Sequence, residues 1–116
     1  MPKYSRFLWL AALALGCAPK ADKACPTDAP AECLDAAALS YNDNIGAIMN
    51  ARCTPCHATG GVEASIILTD YGHVTGERMT IEAQLLTCAM PPDGSPQLTT
   101  DERTQILSWL SCGAPQ

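Results

Sequence analysis

Cys53-Thr54-Pro55-Cys56-His57 sets two thiols and an imidazole within five residues, in the order C-x-x-C-H. Two intervening residues bring both sulfurs to one side of a turn, where they can add to the vinyl groups along one edge of a porphyrin. The adjacent histidine can then swing under the ring to the iron, and this is the attachment pattern of haem c. The pattern is demanding in a chain of 116 residues with seven cysteines and two histidines. Zinc is the competing use of the same donors. A tetrahedral site needs a fourth ligand, and adjacent Cys56 and His57 in one tight loop suit that geometry poorly without a second, distant pair. A thioredoxin-like C-x-x-C belongs in a βαβ context, which the flanking sequence lacks.

With His57 on one side of iron, the group on the other side separates an electron carrier from a catalyst. Met49 lies one helical turn before Cys53 on an apolar stripe and reads as core. Met79 also sits on a helical stripe and reads as core. His73, in a polar Gly72-His73 turn, reads as solvated, although a loop wrapped over the ring would make it a second histidine ligand. Met90 differs from all three: it follows a helix and precedes Pro91-Pro92, whose restricted backbone can present a thioether without a floppy loop. A thioether is soft and favours ferrous iron, so His57 and Met90 together raise the reduction potential and leave no open position. An open position would instead permit a peroxidase-like enzyme or a gas or redox sensor. No other arrangement looks catalytic, and Arg52 and Arg78 are candidates either for the haem propionates or for plain helix surface.

Apolar residues make up 47% of the chain but only six are aromatic, so one small domain with a thin core is expected, in need of disulfides or a bulky cofactor as staples. Lys3 and Arg6 precede the apolar run Phe7 to Gly16, the layout of a signal peptide over residues 1–16. The run is too short to span a bilayer, which needs ~20 apolar residues. Removing Lys3 and Arg6 with it would take the net charge from −5 to −7, a poor surface for nucleic acid. Export implies an oxidising compartment, where cysteines are used up in bonds. Setting aside Cys17, Cys53 and Cys56 leaves Cys25, Cys33, Cys88 and Cys112, which permit three pairings; the local one, Cys25 with Cys33 and Cys88 with Cys112, is expected. A structural protein whose cysteines are all disulfides is the reading without haem.

Leu13-Ala14-Leu15-Gly16-Cys17 resembles a bacterial lipobox, with Ala14 where leucine is usual. The resemblance implies lipidation of Cys17, and Ala18 after it resembles sorting to the outer membrane. Residues 17–40 then form an anchor cysteine and an Ala- and Pro-rich tether, and residues 41–116 the domain. In that domain, Asn42 or Asp43 signals a helix start, followed by Ile45, Ile48, Met49 and Arg52 at i, i+3, i+4 and i+7. Thr59 to Gly61 is a turn and Val62 to Tyr71 irregular. Glu77 to Thr87 is a second helix, with Met79, Ala83 and Leu86 on one stripe and Ile81 and Leu85 beside it. Thr99 to Glu102 offers a capping box for a last helix carrying Ile106, Leu107, Trp109 and Leu110, with Gly113 as its stop.

A helix running into C-x-x-C-H, a loop, a helix, a Met-Pro loop and a final amphipathic helix resembles a class I cytochrome c domain over about residues 41–115. The resemblance implies an all-α fold of about three main helices around one covalent haem c, with long loops. It implies that Gly46 admits the face of the last helix bearing Trp109 or Leu110, that Ile67 to Tyr71 packs against the ring, and that Met90 is the distal ligand. The function expected is a monomeric, single-haem electron carrier, not an enzyme. It would be lipid-anchored in the bacterial periplasm or envelope and serve other redox proteins there.

Overall fold

A computed structural model describes Cys33 and residues 38–116. The expected signal peptide, Cys17, Cys25 and most of the tether lie outside the described residues. Among the described residues the regular elements are all helical, joined by long turns and loops, with no strand, in agreement with the all-α expectation. A π-helical turn, Tyr41–Ile45, runs without a break into α1 (Gly46–Arg52); α2 (Tyr71–Gly76), α3 (Arg78–Leu86) and α4 (Thr100–Ser111) follow. No helix among these residues is long and apolar enough to cross a membrane.

The first helical segment starts earlier than its cap signals suggested. Ser40 is the cap: its Oγ accepts the Asp43 amide at 3.1 Å, and its own amide donates to Asn44 Oδ1 at 3.1 Å, satisfying donors that a helix start leaves orphaned. The i, i+3, i+4 stripe holds, with Ile45, Ile48 and Met49 all buried. At Gly46 a Cβ would lie 3.0 Å from the Tyr41 carbonyl oxygen and 3.3 Å from the Tyr41 ring, so its nearest neighbour is Tyr41.

α2 falls where a turn and irregular chain were expected. Asp70 caps it, its Oδ1 accepting the His73 amide at 3.0 Å, and Val74 is fully buried; one buried residue in six gives no periodicity to detect. α3 has the expected bounds to within a residue but is turned the other way. Leu85 is buried and Ile81 packs on the core, whereas Met79 is 74% exposed and Leu86 41% exposed. Both sides of this helix carry apolar residues, so composition alone does not choose between them.

α4 follows its sequence signals closely. The Thr99 hydroxyl accepts the Glu102 amide at 3.1 Å and the Glu102 carboxylate accepts the Thr99 amide at 2.9 Å, a complete capping box. Gly113, at φ +85°, ends it. Ile106, Leu107 and Trp109 are buried. Tyr41 packs between two rings, edge-on to Tyr71 at 5.5 Å and tilted to Trp109 at 6.1 Å. The chain after α4 is stitched to this aromatic group. Trp109 Nε1 donates to the Pro115 carbonyl (2.8 Å), Tyr71 Oη to Ala114 (3.0 Å), and the Tyr41 amide also to Pro115 (3.1 Å).

That stitching brings the start of the domain to the end of α4, and the cysteine pairing follows it. Cys33 bonds Cys112 across 79 residues of sequence. The expected local pairs, Cys25 with Cys33 and Cys88 with Cys112, are therefore both replaced. Cys88, in the loop after α3, is also disulfide-bonded.

Candidate functional site

The C-x-x-C-H motif is the frayed end of α1, wound into successive turns by two carbonyls. The Met49 carbonyl accepts the amides of Cys53 (2.8 Å) and Thr54 (3.0 Å), and the Cys53 carbonyl accepts those of Cys56 (3.1 Å) and His57 (2.9 Å). Both thiols are free, and both residues are half-buried. Every other described cysteine is disulfide-bonded.

The chain then folds back on the motif. Gly61 lies so close beneath the Cys56 carbonyl that an added Cβ would stand 2.2 Å from its oxygen. That approach lets the Cys56 carbonyl accept the Glu63 amide at 3.0 Å, and farther on the His57 carbonyl accepts the Leu68 amide at 2.9 Å. The sequence signals only a turn here; the Gly60-Gly61 pair, two residues beyond the motif, is the local mark of this close return.

His57 is fixed by its ring. Nδ1 lies 3.0 Å from the Ile66 carbonyl oxygen, and a carbonyl can only accept, so Nδ1 carries the proton. In the neutral imidazole Nε2 keeps its lone pair, as a metal ligand must. Burial, with a smaller contribution from Cys56, pushes the Cys53 thiol up to about 11. This is the reverse of the lowered thiol pKa of a reactive C-x-x-C.

An apolar cleft of about 230 Å³, partly open to solvent, gathers these groups. Cys53, Cys56 and His57 line it from the motif, Ile66 and Leu68 from the returning chain, and Met49 from α1. Within the expected ring-packing segment, Leu68 thus faces the cleft, together with Ile66 just outside it. α3 contributes Glu77, Thr80, Ile81, Gln84 and Leu85, spaced i, i+3, i+4, i+7 and i+8 from the residue before its first turn. This row is the face that turns Met79 outward.

Met90 lines the same cleft with Pro91 and Pro92. Its loop is braced at both ends: the Gln84 carbonyl accepts the amides of Ala89 (3.0 Å) and Met90 (3.3 Å), and Gln97 Nε2 donates to the carbonyls of Pro92 (2.8 Å) and Ser95 (2.9 Å). The other sixth-ligand candidates are placed differently. Met49 is buried, its sulfur 3.9 Å from that of Cys53. Met79 is exposed. His73 sits on α2, exposed, with Nδ1 2.6 Å from Asp70 Oδ2, and neither Met79 nor His73 lines the cleft.

Arg52 lines the cleft, but its guanidinium is engaged from an unexpected quarter. Nε and Nη2 donate to Glu102 Oε2 (2.9 Å) and Oε1 (3.0 Å) in a two-pronged pair. The Arg52 hydrogen bonds, with the Thr99 amide, hold the Glu102 carboxyl below the usual carboxylate range. Arg78 is exposed and away from the cleft. Among the described residues no three His, Cys, Asp or Glu side chains gather closely enough to hold a bare metal ion.

The arrangement offers two separate thiols, an imidazole of fixed tautomer and a soft thioether around one apolar space. No family model, no curated protein and no solved structure matches the chain.

Proposed function

We propose that this chain is a single-haem c-type cytochrome that carries one electron at a time between larger redox proteins. Cys53 and Cys56 would hold the porphyrin by thioether bonds, and His57, through Nε2, and Met90 would hold its iron. When bound, the group supplies a reversible one-electron couple at its iron.

One observation carries this reading: two free thiols, a tautomer-locked histidine and a loop methionine line one apolar cleft, while every other described cysteine is disulfide-bonded. The donor set fits the group. A porphyrin takes its thiols and its imidazole at different atoms, so they need not converge on one point; zinc requires that they do. The high pKa of Cys53 likewise sits badly with thiol–disulfide exchange as the purpose of the motif. The chain's own part is to shield and to orient. Ile66, Leu68, Ile81 and Leu85 give the cleft apolar walls. The Ile66 carbonyl aligns the imidazole, and the Gln84 carbonyl and Gln97 amide hold the methionine loop in place. With His57 and Met90 both holding the group, no position would be left for a substrate, as suits a carrier rather than an enzyme. The envelope location and a lipid anchor at Cys17 belong to the same proposal, supported by the leader-like residues 1–16.

Expression with haem-attachment machinery, followed by optical spectroscopy, tests it. Sharp reduced α and β bands and the weak far-red band of methionine ligation in the oxidised form are expected, the latter lost in Met90→Ala. Fast, stoichiometric carbon monoxide binding by the native protein, or a Met90→Ala spectrum identical to wild type, would contradict the ligand set.

A further inference from the structure

Arg52 and Glu102 lie fifty residues apart and come together at the wall of the cleft. Arg52 is the last residue of α1 and lines the cleft; Glu102 does not line it and meets Arg52 from the first turn of α4. The pair is two-pronged, with bonds of 2.9 and 3.0 Å, and only 28% and 21% of the two side chains is exposed. Arg52 is therefore a cation beside an apolar space, its field largely balanced by one carboxylate farther out. In partly shielded surroundings neither charge is fully screened, so losing one partner leaves the other acting on whatever occupies the cleft.

We infer that Glu102, as a positioning and balancing residue, cancels the field of Arg52 on the redox group held in the cleft, so that the intact pair leaves the reduction potential near that of an uncharged pair and loss of either partner alone shifts it. The inference rests on the proposed haem reading. An uncompensated cation favours the state with one more electron, and an uncompensated anion the state with one fewer. Glu102→Gln keeps an oxygen for the Thr99 amide and for Arg52 while removing the negative charge. It should raise the potential. Arg52→Gln leaves the Glu102 carboxylate alone and should lower it. Each change should shift the reduced-to-oxidised ratio at fixed ambient potential by about three- to ten-fold, as expected for one partly screened charge near the cleft. The double variant Arg52→Gln/Glu102→Gln removes one charge of each sign and leaves Glu77 at the wall as in wild type, so its potential should return close to wild type even though the pair is gone.

The test is spectroscopic redox titration of the haem-loaded chain, with a small-molecule mediator supplying or accepting the electron. Opposite shifts in the single variants with restoration in the double variant support the inference. A purely structural pair would leave the double variant at least as perturbed as either single one. Shifts of the same sign, no shifts, or no restoration would overturn the inference. If Arg52→Gln fails to fold, Glu102→Gln still decides: a raised potential supports the inference, an unchanged or lowered one overturns it. A wild-type chain carrying no covalent haem would defeat the underlying reading instead, a result that a haemochrome assay reads separately.

Discussion

Gly61 shows how much of the site hangs on one missing methyl group. Its Cβ position lies 2.2 Å from the Cys56 carbonyl oxygen and 2.9 Å from the carbonyl carbon, and both atoms are backbone, so neither can rotate aside. Gly61→Ala should cost about 1–3 kcal/mol of stability in denaturant unfolding and lower the fraction of chains that acquire haem, because the residues displaced are the C-x-x-C-H motif at which attachment is proposed. Cys53 makes a second prediction for the unloaded chain. Its thiol is held at about 11 by burial and the neighbouring Cys56, above the ordinary value in an unfolded chain, so the folded state holds this proton more tightly. The stability this contributes is present at neutral pH and fades as pH rises toward 11. Alkylation followed by peptide mapping should show Cys53 reacting slowly at neutral pH and still accelerating above pH ~9. A rate that levels off near neutrality would mean an activated thiol and a different chemistry. The residues proposed for attachment were legible at this level because C-x-x-C-H is a local pattern. Gly61, the Ile66 carbonyl and Glu102 were not, because each acts through a contact made only after the chain folds back.

α4 is the element best specified by its own residues, since its cap, buried stripe and stop are all local. Its capping box does further work, because the same Glu102 carboxylate that accepts the Thr99 amide also binds Arg52 at the end of α1. Thr99→Ala should destabilise the protein by about 1 kcal/mol through the lost cap. Glu102→Gln should cost a similar amount, about 1 kcal/mol, at neutral pH. The sign of its pH dependence follows from the lowered carboxyl pKa. The pair's contribution is present above the unfolded value and lost as pH falls through the folded one, so the gap between wild type and Glu102→Gln should begin to narrow once pH falls below the ordinary glutamate value of about 4.3. Comparing unfolding midpoints at neutral pH and at about pH 3 checks this. α3 teaches the opposite lesson. Its extent was readable, but Met79 with Leu86 and Ile81 with Leu85 lie on different faces, and only the packing of the cleft decides which face turns inward. α2 went unseen because a six-residue helix with one buried side chain leaves no period to find.

In the molecule as a whole, closure comes from the residues that frame the domain. Cys33 and Cys112 join its two ends, Trp109 and Tyr71 pin the chain after α4, and Tyr41 packs between their rings. No count of cysteines could choose among three pairings; the choice is made by where the first and last helical segments meet. Replacing both Cys33 and Cys112 by serine should lower stability by about 2–4 kcal/mol, through the freedom restored to the unfolded chain, while leaving the far-red methionine band in place, since neither residue lines the cleft. Haem attachment is the claim on which the rest depends. Its most direct measurement is the intact mass, under denaturing conditions, of the chain purified from cells equipped for haem attachment, after treatment with a thiol-alkylating reagent. The account predicts a mass raised by one haem, with Cys53 and Cys56 unmodified by the reagent. A chain of polypeptide mass alone, alkylated at both positions, would contradict it.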